Sequence, residues 1–240
     1  KTDDRFIVPK VYPQYSTAHI IATAYEPGVS VDSETTLNPS LERRNAICKA
    51  ALDLCWSEVF LWGEMQTDPN FGNYFIRLGD GDTVPDRIIL LDFGAVRKFS
   101  DDTIEPGRKI VRAAFHHDEP MLFEGLVDLG FLTASTPVDV KRSLAKVCFL
   151  AIEPFTDNNA YPAPPSVVNE RGEYLWGNSD LPARLSMQAG LGASVGAANR
   201  TFALPPREVM FLVRKIMGAY TWLSVLKAEL KGYEILKPYI

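Results

Sequence analysis

Cysteine and histidine are scarce in this chain. Its three cysteines, Cys48, Cys55 and Cys148, are too few for a disulfide framework and lack zinc-ligand spacing. A reducing compartment is the modest implication. His19 lies in a strand-like run and His116-His117 closes a helical segment; none has a partner at metal-ligand spacing. No apolar run is long enough to span a membrane, and no secretory signal is visible. No block of lysine and arginine occurs. With 25 basic and 30 acidic residues the net charge is −5, which argues against nucleic acid as the main partner. A G-x-S-x-G nucleophile elbow and a Walker A phosphate loop are both absent.

What is present is a core-forming composition. Hydrophobic residues make up 46 % of 240 and charged residues 23 %, which fits one large domain or one lobe of a larger fold. Phe6 to Val11 reads as a short strand interrupted by Pro9. Ala18 to Tyr25 reads as a second, ending at Pro27-Gly28. Residues 37 to 63 read as a long helix with Cys48, Ala51, Cys55, Val59 and Trp62 on one apolar stripe, stopped by Gly63. Two strands follow, Asn73–Leu78 and Arg87–Leu91, joined by a turn containing Asp80 and Asp82. These two acids suit a hairpin turn better than a calcium loop. The remainder is helical: about 101–116, 118–130 and 138–152, then a loop-like stretch over 154–182 and a Gly/Ala-rich helix over 183–198. A long closing helix starts at Pro205-Pro206, with Val209, Val213, Ile216, Tyr220 and Leu223 on one face.

The chemistry concentrates in Met65-Gln-Thr-Asp-Pro-Asn-Phe-Gly-Asn73 and in Asp92-Phe93-Gly94. An aspartate, an asparagine five residues on, and a DFG tripeptide ending an apolar run form the working end of a kinase-type phosphate site. Magnesium takes one or two protein oxygens and otherwise phosphates and water. Asp92 supplies a charged oxygen and Asn73 a neutral one. Asp68 is placed to orient or deprotonate the group that receives a phosphoryl. If the two strands pair antiparallel, the start of the first lies beside the end of the second, which brings Asn73 and Asp92 together. Cys48 and Cys55 fall on the apolar stripe and read as packing residues.

These residues resemble the UbiB/AarF family of atypical kinases, in particular its coenzyme Q biosynthesis branch. Phe6-Ile-Val-Pro-Lys-Val, the 65–73 segment, Leu90-Leu-Asp-Phe-Gly-Ala95, Leu204-Pro-Pro-Arg-Glu208 and Val213-Arg-Lys-Ile-Met-Gly218 carry the likeness. It implies an α+β, protein-kinase-like fold: a mostly helical large lobe, a small β-hairpin at the active site and remnants of small-lobe strands. Residues 1–27 would be the end of the small lobe and the hinge, and 28–240 the large lobe. By position, Asp68 matches the catalytic-loop aspartate, and Asn73 and Asp92 the metal ligands. Ala24 and Tyr25 match the hinge that meets adenine. The implied cofactors are ATP and Mg²⁺. The implied partners are membrane lipid or quinone precursors and quinone-biosynthesis proteins, at the bacterial inner membrane or the matrix side of the mitochondrial one.

Departures from the pattern carry information as well. The strand lysine, the K-x-G-Q segment and the alanine-rich loop of the family are not found before Phe6, so the chain looks like the later part of a kinase fold, inactive alone. Ala24 replaces the usual acidic hinge residue, with Glu26 two residues on. Thr67 replaces the arginine that precedes the aspartate in regulated protein kinases, and no A-P-E motif follows Gly94. These features favour ATP hydrolysis or a small or lipid-like acceptor over a peptide. A nucleotide-switched scaffold and a sugar-type phosphotransferase are the alternative readings.

Overall fold

A computed structural model describes residues 3–133, 135–157, 160–198 and 207–240. In chain order the elements are β1 (Phe6–Ile7), β2 (Val29–Ser30), α1 (Glu34–Leu37), α2 (Leu41–Ser57), β3 (Glu64–Gln66), β4 (Tyr74–Arg77), β5 (Arg87–Leu90) and β6 (Val96–Lys98). Then come α3 (Asp101–Phe115), α4 (Glu119–Asp128), α5 (Val138–Ile152), β7 (Tyr174–Leu175), α6 (Leu181–Ala198), α7 (Arg207–Val225), β8 (Glu229–Leu230) and α8 (Gly232–Leu236). Helices dominate and the sheets are small, as the α+β reading requires.

The expected hairpin forms. β4 and β5 pair antiparallel from Tyr74↔Leu90 to Arg77↔Arg87. β1 joins β5 in parallel and β2 joins β4, giving the order β1-β5-β4-β2. The turn holds itself closed. Asp80 accepts from the backbone of Asp82, Thr83 and Val84, which spends its carboxylate on the chain rather than on a cation. Arg43 of α2 pairs with Asp86 and clamps the hairpin base.

Both N-terminal strands are shorter than expected. Phe6–Val11 reduces to Phe6–Ile7, because Pro9 removes a donor from the ladder. Ala18–Tyr25 forms no strand. It keeps one isolated bridge, Val11↔Thr23, with Tyr12 N–H donating to Ala22 and Ala24 N–H to Lys10.

The long helix also differs. After Ser57 the backbone widens into a π-helical turn, Glu58–Trp62, which Gly63 ends at φ 62°. The extra residue per turn breaks the 3.6 phase. Cys48, Cys55 and Val59 are buried as expected, but Trp62 is 59 % exposed. Earlier in α2, burial is not one stripe: Ile47, Cys48, Ala50, Leu52, Leu54, Cys55 and Trp56 pack most of the way round. Trp56 stacks on Phe60 and meets the edge of Phe155 at 5.5 Å.

The helices α3, α4 and α5 lie close to the expected spans. Asp118 caps α4 by accepting from Met121 N–H. The described residues among 154–180 are irregular apart from short 3-10 turns and β7, which pairs with β8. The Gly/Ala-rich helix begins two residues early, at Leu181. The expected start of the closing helix at Pro205-Pro206 lies outside the described residues, as does Leu204 before it. In α7 the buried face runs through Val209, Leu212, Lys215, Tyr220 and Leu223; Val213 is exposed instead. Among the described residues no helix is long and apolar enough to cross a membrane.

Candidate functional site at the catalytic-loop and DFG segments

Three strand ends define the site. Asp68 follows β3, Asn73 precedes β4, and Asp92 follows β5. The hairpin register continues past its last pair: Leu91 N–H donates to the Asn73 carbonyl at 2.9 Å. That places Asn73 and Asp92 one residue apart across the ladder, as the antiparallel pairing predicts. β3 pairs with β6 at Gln66↔Val96, so the chain before Asp68 lies beside the chain after Gly94.

Two buried polar residues lock these segments together. Thr67 donates from both its backbone N–H and its hydroxyl to the Ala95 carbonyl. Gln66 donates from Nε2 to the Asp92 carbonyl at 2.6 Å and accepts from Asp68 N–H at 3.1 Å. This one side chain thus touches both aspartate segments. Its sequence signal is slight, a polar residue at a strand position before the motif, and sequence reasoning misses it.

Asn73 donates from Nδ2 to the Asp68 carbonyl at 3.0 Å and to its carboxylate at 3.1 Å. Its own amide oxygen receives no protein donor among the described residues. Asp92 is exposed and accepts Gly94 N–H on Oδ1 at 2.6 Å, leaving Oδ2 without a donor among those residues. No trio of His, Cys, Asp or Glu able to hold a metal occurs among the described residues. Two free oxygens, one charged and one neutral, match a cation that takes most ligands from phosphate and water. The residues therefore fit magnesium.

α7 underpins the loop. Gly218 lies against Pro69; a Cβ there would stand 2.1 Å from the proline Cβ. Arg214 pairs with Asp68 at 2.6 Å. Trp222 sets its ring edge-on to Tyr74 at 5.2 Å and to Phe71 at 6.2 Å. Beneath the loop, Lys215 pairs with Glu58 of the π-helical turn, both buried. Burial pushes the Glu58 carboxyl up and opposes charging Lys215. The contact to Glu58 prevails for the lysine, whose ammonium is held above its ordinary value. In the sequence, Arg214, Lys215 and Gly218 stand out only as part of a family-like stretch. A lysine on an apolar helix face and a mid-helix glycine are the available signals.

The residues expected to form the hinge stand apart from this network. Ala24 is half-buried with its N–H already donated to Lys10, and Tyr25 is 88 % exposed. Glu26 is held by Arg77 of β4 at 2.5 Å. His117 is stacked between Phe149 and Tyr161, at 4.8 and 3.7 Å, and burial lowers its pKa. Cys48, Cys55 and Cys148 are free thiols; burial pushes all three up, Cys55 and Cys148 to about 12. They are packing residues, not nucleophiles.

Residues 1–125, which contain Asp68, Asn73 and Asp92, match the ABC1 atypical kinase-like domain. The chain belongs to that family. It is 30 % identical to a probable serine/threonine-protein kinase, abkA, of Dictyostelium discoideum, over 94 % of the chain and 37 % of the relative. It is 29 % identical to the mitochondrial atypical kinase COQ8 of Saccharomyces cerevisiae, over 99 % and 43 %. The mitochondrial atypical kinase coq-8 of Caenorhabditis elegans is 27 % identical over 92 % and 26 %. The chain thus spans well under half the length of these relatives. Among solved structures, the Mycobacterium tuberculosis protein Rv3197, determined with erythromycin, superposes with a TM-score of 0.66 at 18 % identity, covering 99 % of this chain and 53 % of that one. That likeness carries the kinase-like fold.

Proposed function

We propose that this chain carries the magnesium and phosphoryl-transfer half of an ATPase or small-molecule kinase that supports isoprenoid quinone synthesis at a membrane surface. The supporting observation is the convergence of Asp68, Asn73 and Asp92 at three adjacent strand ends, tied together by Gln66. Residues 1–27 serve as the end of the small lobe and the hinge, and 28–240 as the large lobe. Ala24 and Tyr25 meet adenine through backbone groups.

Asn73 and Asp92 would hold magnesium, which would screen the phosphate charge. Asp68 accepts a hydrogen bond from the water or alcohol that receives the γ-phosphoryl. As the acceptor oxygen bonds to phosphorus and the bond to the β-phosphate oxygen breaks, the acceptor proton passes to Asp68, and ADP leaves. Asn73 orients the Asp68 carboxylate from one side and Arg214 from the other.

A small or lipid-like acceptor is favoured by the short run after Gly94. Only residues 95–100 precede α3, and three of them form β6, which leaves no segment to dock a peptide. The mitochondrial COQ8 relatives, together with the likeness to the coenzyme Q branch, favour quinone precursors, lipid and quinone-biosynthesis proteins as partners.

The test is ATP turnover by the full-length protein. Asp68→Ala is expected to lower it by about 10²–10⁴-fold, the usual contribution of a positioned base, while nucleotide binding survives. Unchanged turnover would sink the role given to Asp68. If wild-type protein shows nucleotide binding but no turnover with any hydroxylated acceptor, the scaffold reading replaces this one.

A further inference from the structure

α7 presents one face to the catalytic segments. Gly218 meets Pro69, Arg214 meets Asp68, and the Phe211 ring lies under the Arg97 guanidinium at 4.5 Å. Arg207 also lies over Phe211, 6.0 Å from its centroid. Positions 207, 211, 214 and 218 follow the 4-3-4 spacing of a single helical stripe. The stripe begins at the catalytic loop and ends at an arginine pair on one aromatic ring.

The pair is unusual in its surroundings. Arg97 and Arg207 are exposed, and among the described residues neither forms an ion pair with a carboxylate. Most other arginines among the described residues have acidic partners, as Arg5, Arg43, Arg77 and Arg184 show. In a chain of net charge −5, two unpaired guanidiniums on one ring form a local excess of positive charge. Guanidinium forks match phosphate oxygens in bidentate geometry. From Arg214 to Arg207 the stripe rises about 10 Å, at 1.5 Å per residue. An acceptor with its hydroxyl at Asp68 would therefore place a group one to two helical turns away on the arginine pair.

We propose that Arg97, Arg207 and Phe211 form the anion-binding end of the acceptor site, and that the acceptor is an alcohol bearing a phosphate monoester. The inference rests on the phosphotransferase reading for the hydroxyl end and on the α7 stripe for the anionic end. The phosphate belongs either to a soluble molecule or to a lipid headgroup, and one experiment separates the two.

Full-length protein, free of nucleotide and magnesium, is tested for binding glycerol 3-phosphate by equilibrium dialysis. In parallel it is sedimented with phosphatidylcholine vesicles with and without lysophosphatidic acid, which keeps a free hydroxyl beside its phosphate monoester. Binding to one probe, weakened at least tenfold in R97A/R207A, supports the proposal and identifies the source. Both side chains are exposed, so the double variant is expected to melt as wild type does. Binding to neither probe, or binding that the double variant retains, overturns it. Asp92→Asn separates the two ideas. If it leaves arginine-dependent binding intact but abolishes the magnesium-nucleotide melting shift, both readings stand. If that shift survives Asp92→Asn, the catalytic reading falls while the anion site remains.

Discussion

Residues 8–25, the proposed hinge, and residues 64–98, the proposed phosphate site, are held very differently. The first segment carries the expected hinge on one isolated bridge and a few backbone bonds, with Val8, Tyr15, Ile20, Ile21 and Tyr25 exposed. The second is fastened by two strand pairings, by buried Gln66 and Thr67, and by α7 below. The contrast teaches where this chain is self-sufficient. The proposed metal and catalytic groups are positioned by its own core. The proposed adenine side has little of its own to hold it in shape.

Breaking the well-held side should have the larger effects. Lys215→Met leaves Glu58 buried without its cation, which typically costs about 3–5 kcal/mol. Urea denaturation should show that loss, and Glu58→Met in the same protein should recover most of it. Equal stability of Lys215→Met and wild type would contradict the pairing. Gly218→Ala comes next. Its methyl would overlap Pro69, so the loop or the helix must shift, at about 1–3 kcal/mol. Because Pro69 adjoins Asp68, turnover should fall more than nucleotide affinity does. An Ala variant more stable than wild type, as helix propensity alone predicts, would show that the contact is loose. The smallest effect belongs to the other region. Tyr25→Ala should change stability by less than about 0.5 kcal/mol, as for exposed positions without partners. A large loss there would mean the hinge is far better anchored than its contacts indicate.

Legibility in the sequence follows the same divide. The hairpin is readable because Asn73–Leu78 and Arg87–Leu91 each carry enough apolar residues to signal burial, and the turn acids sit between them. Its register then follows from antiparallel pairing, and with it the juxtaposition of Asn73 and Asp92. The Ala18–Tyr25 strand fails because a β-like composition forms a strand only where a neighbour offers a ladder, and here the neighbour is a proline-broken edge. The apolar stripe of the long helix fails at Trp62 because no residue pattern announces a π-helical turn. The 3–4 spacing puts Val213 inside because that spacing admits two neighbouring faces. The burial of Lys215, charged and paired, determines which of them faces the core. Arg214, Gly218 and Gln66 are hard to find in the sequence because each depends on a partner distant along the chain, respectively Asp68, Pro69 and Asp92.

The claim on which the rest depends is that Asp92 and Asn73 hold magnesium against a nucleotide. Thermal melting of the full-length protein, with ATP and Mg²⁺ against ATP alone, tests it most directly. At ligand 100-fold above its dissociation constant, binding should stabilise the wild type by about 2.7 kcal/mol. The account predicts a magnesium-dependent rise in melting temperature for the wild type and none for Asp92→Asn; the same rise in both proteins would contradict it.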